Sequence, residues 1–277
     1  MTIKEALDAV DKILPEKIPQ PLVEACKCEP VDPMWPIKDP LEAIRYLMAW
    51  ERYDGQELHS LDEITHRLTH SHYYEQEDLK KYGVEQVYQK SLSTKFVSIA
   101  WFLCGRYGQD IGLIAELDRL GWPPLRFIDF GGAPWLQAIF YRRKGLKVTV
   151  VNQTKDSDCH RFGRFLAACY GIDDIREYSA EEAWDATEYD VIYCCDVLEH
   201  IPPLADGSPG WVPIAERLIN ALVPKGLAYL NAPLEIAEGP PRPVEHHPVH
   251  YTSPFSLGSL LETKGVWQEG YFLRKSG

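Results

Sequence analysis

At about 150 residues per domain, the chain's 277 residues suggest one to two domains, enough to bury a core without disulfide staples. With 45% hydrophobic and 25% charged residues, a wholly disordered, collagenous or coiled-coil chain is excluded. Lys and Arg number 29 against 41 Asp and Glu, a formal charge of −12, and no basic run offers a counterion-releasing surface, so nucleic acid is not an expected partner.

Ile3, Leu7, Val10 and Leu14 recur at spacings of four and three, which predicts an amphipathic helix over residues 3 to 14. Acidic residues interrupt this first stretch where a signal peptide needs an apolar core. No run of 18 apolar residues follows, so no membrane span is expected and the location reads as cytoplasmic. Seven prolines between Pro15 and Pro40 predict an extended arm. Asp39, Pro40 and Glu42 then read as N-cap, first helical position and third, with Leu41, Ile44, Leu47 and Met48 as the buried stripe behind them. Ser60 and Glu63 repeat the capping box. From Tyr73 to Gly108, residues such as Tyr74, Tyr82, Val87, Phe96, Ile99 and Leu103 keep helical spacing. Residues 1–120 are therefore expected to be a mostly helical region.

From Leu125 the grammar changes. Leu125 to Phe130, Leu146 to Val151, Tyr189 to Cys195 and Leu227 to Ala232 are short apolar runs of strand type. Between them Leu136/Ile139/Phe140, Phe162/Phe165/Leu166/Cys169 and Ile214/Leu218/Ile219/Leu222 have helical spacing. Strand alternating with helix implies right-handed crossovers, so residues 121–277 are expected to form an α/β domain with a Rossmann-like, doubly wound, mostly parallel sheet. The seven cysteines include no CxxC pair. Cys26 and Cys28 are close, and the adjacent Cys194 and Cys195 read as buried, reduced thiols.

Ligands of such sheets bind outside the carboxyl ends of the strands. The first strand runs into Asp129-Phe130-Gly131-Gly132-Ala133-Pro134, where small residues let a ligand approach the backbone and the next helix presents its N-terminal amides. Leu136 occupies the place of the third glycine in a dinucleotide fingerprint, which disfavours NAD. A carboxylate at the end of an apolar strand, as at Asp129, is seldom buried without a partner, which favours a role in the site.

Asp129 with its glycine turn, the helix ending at Gly145 and the second strand ending at Asn152 resemble motif I of the class I S-adenosylmethionine (SAM) dependent methyltransferases. The likeness continues in Tyr178-Ser179-Ala180-Glu181-Glu182, in Tyr189 to Ile201 and in Leu222 to Leu227. His250 to Leu257 and Leu260 to Gly265 resemble the segment after strand five in the small-molecule branch related to quinone-biosynthesis methyltransferases. The resemblance covers about residues 122 to 275. It implies that Asp129 and the backbone of Gly131, Gly132 and Ala133 hold the methionine end of SAM, Asn152 the ribose, and Ser179, Ala180 and Glu181 the adenine. Cys195 and Asp196 would lie beneath the sulfonium. It also implies methyl transfer to an oxygen or nitrogen of a small molecule, and preceding helices that close over the cofactor. Tyr73, Tyr74, Tyr82 and Tyr88 are then either pocket or core residues, with Tyr74 the substrate-side candidate. Ser179 has a second, compatible reading as an N-cap closed by Glu182.

Three departures from the family stand out. Asn152 replaces the usual carboxylate and offers the ribose one uncharged oxygen. Trp135 replaces a small residue and either covers or obstructs the pocket. Only Val266 to Lys275 follow the last helix, so the seven-stranded sheet of the family is expected to be one strand short, or completed at its edge by the proline-rich N-terminal region.

His200 is the candidate base. Asp196, Glu199 and His200 stand at i, i+3 and i+4, a spacing that on a helical turn makes one face of catalytic groups or a divalent-metal site. Glu245, His246, His247 and His250 form a second cluster, read either as substrate or metal contacts or as plain loop polarity. The alternative to an enzyme is a methyltransferase-like binding or scaffolding protein that has lost catalysis. A nucleotide-dependent oxidoreductase rests on fold analogy alone. Oligomeric state has no signature in the sequence.

Overall fold

The computed structural model describes residues 1–25, 32–56, 58–83, 86–87, 94–103, 111–232, 257–269 and 272–276. Glu245, His246, His247, His250, Tyr88, Cys26 and Cys28 lie outside the described residues.

Local capping chemistry sets the N-terminal helices. Helix α1 (Ile3–Asp11) starts where the Thr2 side chain accepts from the Glu5 N–H and the Glu5 carboxylate returns to the Thr2 N–H. The Asp39 carboxylate accepts from the Leu41 and Glu42 N–H groups at the head of α3 (Pro40–Asp54), with Pro40 at the first helical position. Ser60 and Glu63 form the expected capping box of α4 (Leu61–Thr69). Helices α5 (Ser71–Tyr82), α6 (Thr94–Leu103) and α7 (Ile111–Arg119) follow. The proline-rich stretch is not wholly extended. It contains α2 (Gln20–Ala25), whose Pro21 lies in the first turn, where a missing N–H costs no intrahelical bond, and whose Leu22 is fully buried.

The chain divides into two compact units, each built from three separate stretches. The first comprises Met1–Gln109, Ala133–Phe140 and Thr154–Asp174, the second Asp110–Gly132, Tyr141–Gln153 and Ile175–Gly277. In the first unit, α9 (Asp158–Cys169) packs with α3 and α6. Trp50 meets Phe165 at 5.5 Å and Phe162 at 6.1 Å, and Trp35 stacks on Phe140 at 4.2 Å. Beside this aromatic core sits a buried ionic knot. Asp158 accepts from Lys95 Nζ at 2.5 Å, from Trp50 Nε1 at 3.3 Å and from Gln56 Nε2, while Arg161 stands 3.5 Å away.

The second unit holds a seven-stranded sheet in the order β3-β2-β1-β4-β5-β7-β6. Its strands are β1 (Arg126–Phe130), β2 (Lys147–Asn152), β3 (Arg176–Ser179), β4 (Tyr189–Cys195), β5 (Leu222–Asn231), β6 (Val266–Glu269) and β7 (Phe272–Lys275). The first five are parallel, and β7 runs antiparallel to both β5 and β6. Along the chain, helices α8 (Leu136–Arg143), α9, α10 (Trp211–Ala221) and α11 (Leu257–Thr263) alternate with strands, so the architecture is the Rossmann-like doubly wound, mostly parallel sheet. Trp211, Ala215 and Leu218 of α10 pack with Ile128, Ile192 and Ala228 of the sheet and with Trp184. Lys275 at the end of β7 donates to the Ile219 and Leu222 carbonyls, satisfying the last turn of α10.

The expected shortage of one strand is corrected here. Val266 to Lys275 supply two short antiparallel strands rather than one, and no N-terminal segment enters the sheet among the described residues. The missed strand is β3. Arg176-Glu177-Tyr178-Ser179 is a partly exposed edge strand and lacks the apolar run that marks a buried one. No helix among the described residues is long and apolar enough to cross a membrane.

Candidate functional site

The carboxyl ends of β1 to β5 lie along one edge of the sheet, joined by backbone bonds that continue the strand pairing into the loops. Gly131 N–H donates to the Val151 carbonyl at 2.7 Å, Ala180 N–H to the Asn152 carbonyl at 2.8 Å, and Asp196 N–H to the Asn231 carbonyl at 2.7 Å. Strands β2 and β3 extend from β1 on one side, and β4 and β5 on the other. The neighbouring ends of β1 and β4 are thus the topological switch point, where open α/β sheets take their ligands.

At that point the glycine turn closes down on two side chains. A Cβ on Gly132 would lie 2.3 Å from the Asp129 carboxylate, and one on Gly131, whose φ is 82°, would lie 2.2 Å from Val197 Cγ2. Only residues without a side chain let the backbone approach so closely. Asp129 itself is 1% exposed. Asp196 has a φ of 52°, a left-handed conformation that Asp tolerates better than most residues, and its Oδ1 lies 3.4 Å from Asn231 Nδ2. The same amide nitrogen stands 3.7 Å from Cys195 Sγ.

The floor of the switch point is acidic. Burial first, then the negative fields of Cys195, Glu199, Asp129 and Asp196, push the Cys194 thiol far above its ordinary value. Cys194 therefore stays a protonated, inert thiol, as the sequence suggested. Alkylation by iodoacetamide at pH 8 followed by peptide mass mapping is expected to label Cys194 only after denaturation.

The bend at Asp196 dissolves the helical face expected from its spacing to Glu199 and His200. The chain leaves β4 in a left-handed turn and then makes a single 3-10 turn, Leu198–His200, so the three residues do not share an α-helical register. Glu199 is 1% exposed, while the His200 imidazole, 21% exposed, has its Nε2 3.9 Å from Glu199 Oε1. Among the described residues, Asp196, Glu199 and His200 included, no group of three His, Cys, Asp or Glu is placed to hold a metal ion.

At the end of β3 the Glu182 carboxylate accepts from the Ser179 N–H at 2.6 Å, and the Glu182 N–H donates to the Ser179 carbonyl at 3.1 Å. This is the Glu half of the capping box read from the sequence. Ser179, Ala180 and Glu181 lie beside Asn152 through the β2–β3 register, which pairs Asn152 with Ser179. The Asn152 Oδ1 accepts from the N–H of Gln153.

Two residues that sequence reasoning passed over belong to this edge. Arg217 on α10 reaches the loop after β3. An arginine set within the apolar stripe Ile214, Leu218 and Ile219 was the available signal. Asn231 closes β5, at the carboxyl-end position that the strand rule says to inspect. Arg217 donates to both Asp185 oxygens, at 2.7 and 3.0 Å, and so holds the Asp185 carboxyl below its ordinary range. A depressed folded value means stabilisation that is complete above the unfolded value near 3.9 and is lost as the pH falls through the folded one. In urea titrations, the stability difference between wild type and Asp185→Asn is expected to be constant from pH 7 to 5 and to shrink below about pH 4.

The remaining candidates belong to the first unit. Trp135, with a φ of 70°, is buried edge-to-face on His160 at 5.0 Å, and its indole N–H reaches His160 Nδ1 at 3.4 Å, so its side chain is committed to α9. Ala133 is in the same unit. Tyr74 on α5 bonds through its hydroxyl to His66 Nδ1 at 2.8 Å and lies under the Arg67 guanidinium.

No family model matches the sequence, and no curated protein matches it. Solved structures similar to this chain include an O-methyltransferase family protein from Burkholderia thailandensis, at 12% identity over 79% of this chain and 74% of that one, with a TM-score of 0.45. A SAM-dependent methyltransferase from Agrobacterium tumefaciens aligns at 16% identity over 46% of each chain, with a TM-score of 0.35. Another from Methanosarcina mazei aligns at 15% identity over 41% of this chain and 55% of that one, with a TM-score of 0.33. The chain thus spans about half the length of these last two. At such identities the likeness is one of fold.

Proposed function

We propose that this chain is a methyltransferase that moves a methyl group from SAM to an oxygen or nitrogen of a small molecule. The observation that carries the proposal is an acidic floor at the switch point, where the buried Asp129 carboxylate at the end of β1 lies under a turn that only glycine can make and Asp196 follows β4. Such a floor favours a ligand with positive charge, and SAM has two cationic centres, an ammonium and a sulfonium. The space left at Gly131 and Gly132 fits a ligand that lies against the backbone, so the residues present suit this cofactor.

In this reading Asp129 and the backbone of Gly131, Gly132 and Ala133 receive the amino-acid end. Asn152 faces the ribose, Ser179 to Glu181 the adenine, and Cys195 and Asp196 the sulfonium. SAM supplies an already activated methyl group, which leaves the protein to position the acceptor, exclude water and remove a proton where the acceptor is a hydroxyl. His200 is the residue for that last task. Its imidazole is partly exposed, with Nε2 3.9 Å from Glu199 Oε1.

A rival reading, a binding protein that has lost catalysis, is favoured by Asn152, which brings one uncharged oxygen to the ribose, already accepting from Gln153. Two measurements separate the readings. Saturation with S-adenosylhomocysteine at ~100 times its dissociation constant is expected to add about 2.7 kcal/mol of stability, a shift lost in Asp129→Ala. Methyl transfer from labelled SAM into a metabolite extract is then expected to fall by at least about 100-fold in His200→Ala. Ligand stabilisation with no transfer to any acceptor would support the rival, and no stabilisation at millimolar ligand would sink the proposal.

A further inference from the structure

The loop between β3 and β4 is held from the outside by one side chain. Arg217 uses four hydrogen bonds: Nη1 to the Ala180 carbonyl at 3.1 Å, Nη2 to the Glu182 carbonyl at 3.1 Å and to Asp185 Oδ1 at 3.0 Å, and Nε to Asp185 Oδ2 at 2.7 Å. Its guanidinium lies 4.4 Å from the centre of the Trp184 ring, and the Trp184 indole N–H also donates to the Ala180 carbonyl, at 3.2 Å. Ala180 is thereby fixed on both sides, its N–H on Asn152 and its carbonyl on two donors. A planar fork with five N–H groups can serve three acceptors and stack on an indole at once, and a lysine cannot.

We infer that Arg217 is a positioning residue that presets the Ser179–Glu181 backbone for the nucleoside half of the cofactor. The inference rests on the methyltransferase reading above, since that reading makes this loop the base-recognition loop. Without the four bonds the Glu182 carbonyl and the Asp185 carboxylate lose Arg217 and the Ala180 carbonyl keeps the Trp184 indole alone, so binding must first order the loop, a cost that falls on any ligand containing the nucleoside and on none that lacks it. Arg217 touches no ligand in this account, so its effect is confined to affinity for one half of the molecule. Asp129, at the other half, acts on the amino-acid end.

The test is calorimetric titration of S-adenosylhomocysteine and of 5′-methylthioadenosine, which keeps the nucleoside and lacks the amino acid. The proteins are wild type, Arg217→Ala, Arg217→Lys and Asp129→Asn, each held well below its unfolding temperature. Expected is a loss of about tenfold or more for both ligands by the same factor in Arg217→Ala, with little recovery in Arg217→Lys. Asp129→Asn is expected to weaken S-adenosylhomocysteine alone. If Arg217→Ala does not fold, Trp184→Phe provides the second probe. It keeps the ring under the guanidinium, removes one donor to Ala180, and should weaken both ligands several-fold by equal factors. Unchanged methylthioadenosine binding in a folded Arg217 or Trp184 variant, or a loss specific to S-adenosylhomocysteine, overturns the inference and leaves the methyltransferase reading standing. Wild type that binds neither ligand overturns both.

Discussion

Replacing Lys95 by methionine is expected to lower stability by about 3–5 kcal/mol, read as a drop in urea midpoint with an unchanged slope. The Lys95 side chain is 5% exposed and is 2.5 Å from an Asp158 oxygen. Methionine keeps the length of the stem and removes only the charge, so the cost comes from stranding the carboxylate, not from a cavity. Asp158 would retain Trp50 and Gln56 as donors, the Arg161 charge 3.5 Å away and the favourable field of the α9 N-terminus, which places the loss toward the lower end of that range. A second variant makes the account checkable. Lys95→Met combined with Asp158→Leu removes both charges and is expected to recover most of the loss. If the single variant costs under about 1 kcal/mol, the charge pair is solvated in solution and the knot does not organise these helices.

Gly131→Ala is expected to be strongly destabilising. A left-handed φ costs an alanine roughly 1–2 kcal/mol, and a Cβ placed 2.2 Å from Val197 Cγ2 adds an overpacking cost of about 1–3 kcal/mol. The two contributions can be separated. Val197→Ala in the same molecule opens the space and leaves the backbone strain, so the double variant should regain only the packing part. The thermal shift given by S-adenosylhomocysteine is expected to vanish in Gly131→Ala and to return in part in the double variant. A Gly131→Ala protein with wild-type stability would mean that the turn is not closed on Val197.

What could be read from the sequence was what is decided within a few residues. Asp39 and Ser60 each cap a helix with a side chain two or three positions away from the N–H groups it serves, and both starts fall where the capping pattern puts them. Strands β1, β2 and β4 are buried on both faces and so announce themselves as apolar runs. Strand β3, half exposed at the edge, gave no such run. The face expected from Asp196, Glu199 and His200 failed because spacing predicts a face only on a regular helix, and Asp196 takes a left-handed turn instead. Arg217 and Asn231 act across the fold, on residues 32 and 35 positions away, and nothing local encodes that. Of the site, the strand-end residues were legible, while the arginine that organises one of its loops was not.

The division of the chain into interleaved stretches bears on how the protein is made. The backbone passes from one unit to the other near residues 109, 132, 140, 153 and 174, so neither unit corresponds to a continuous piece of the message. During synthesis the helices at the start of the chain emerge long before their partners. Asp158, which bonds Trp50, follows it by 108 residues, and the Phe162 and Phe165 rings come later still. The N-terminal helices cannot complete their core while the chain is still short, and this protein is expected to fold late, after most of it has left the ribosome, rather than domain by domain.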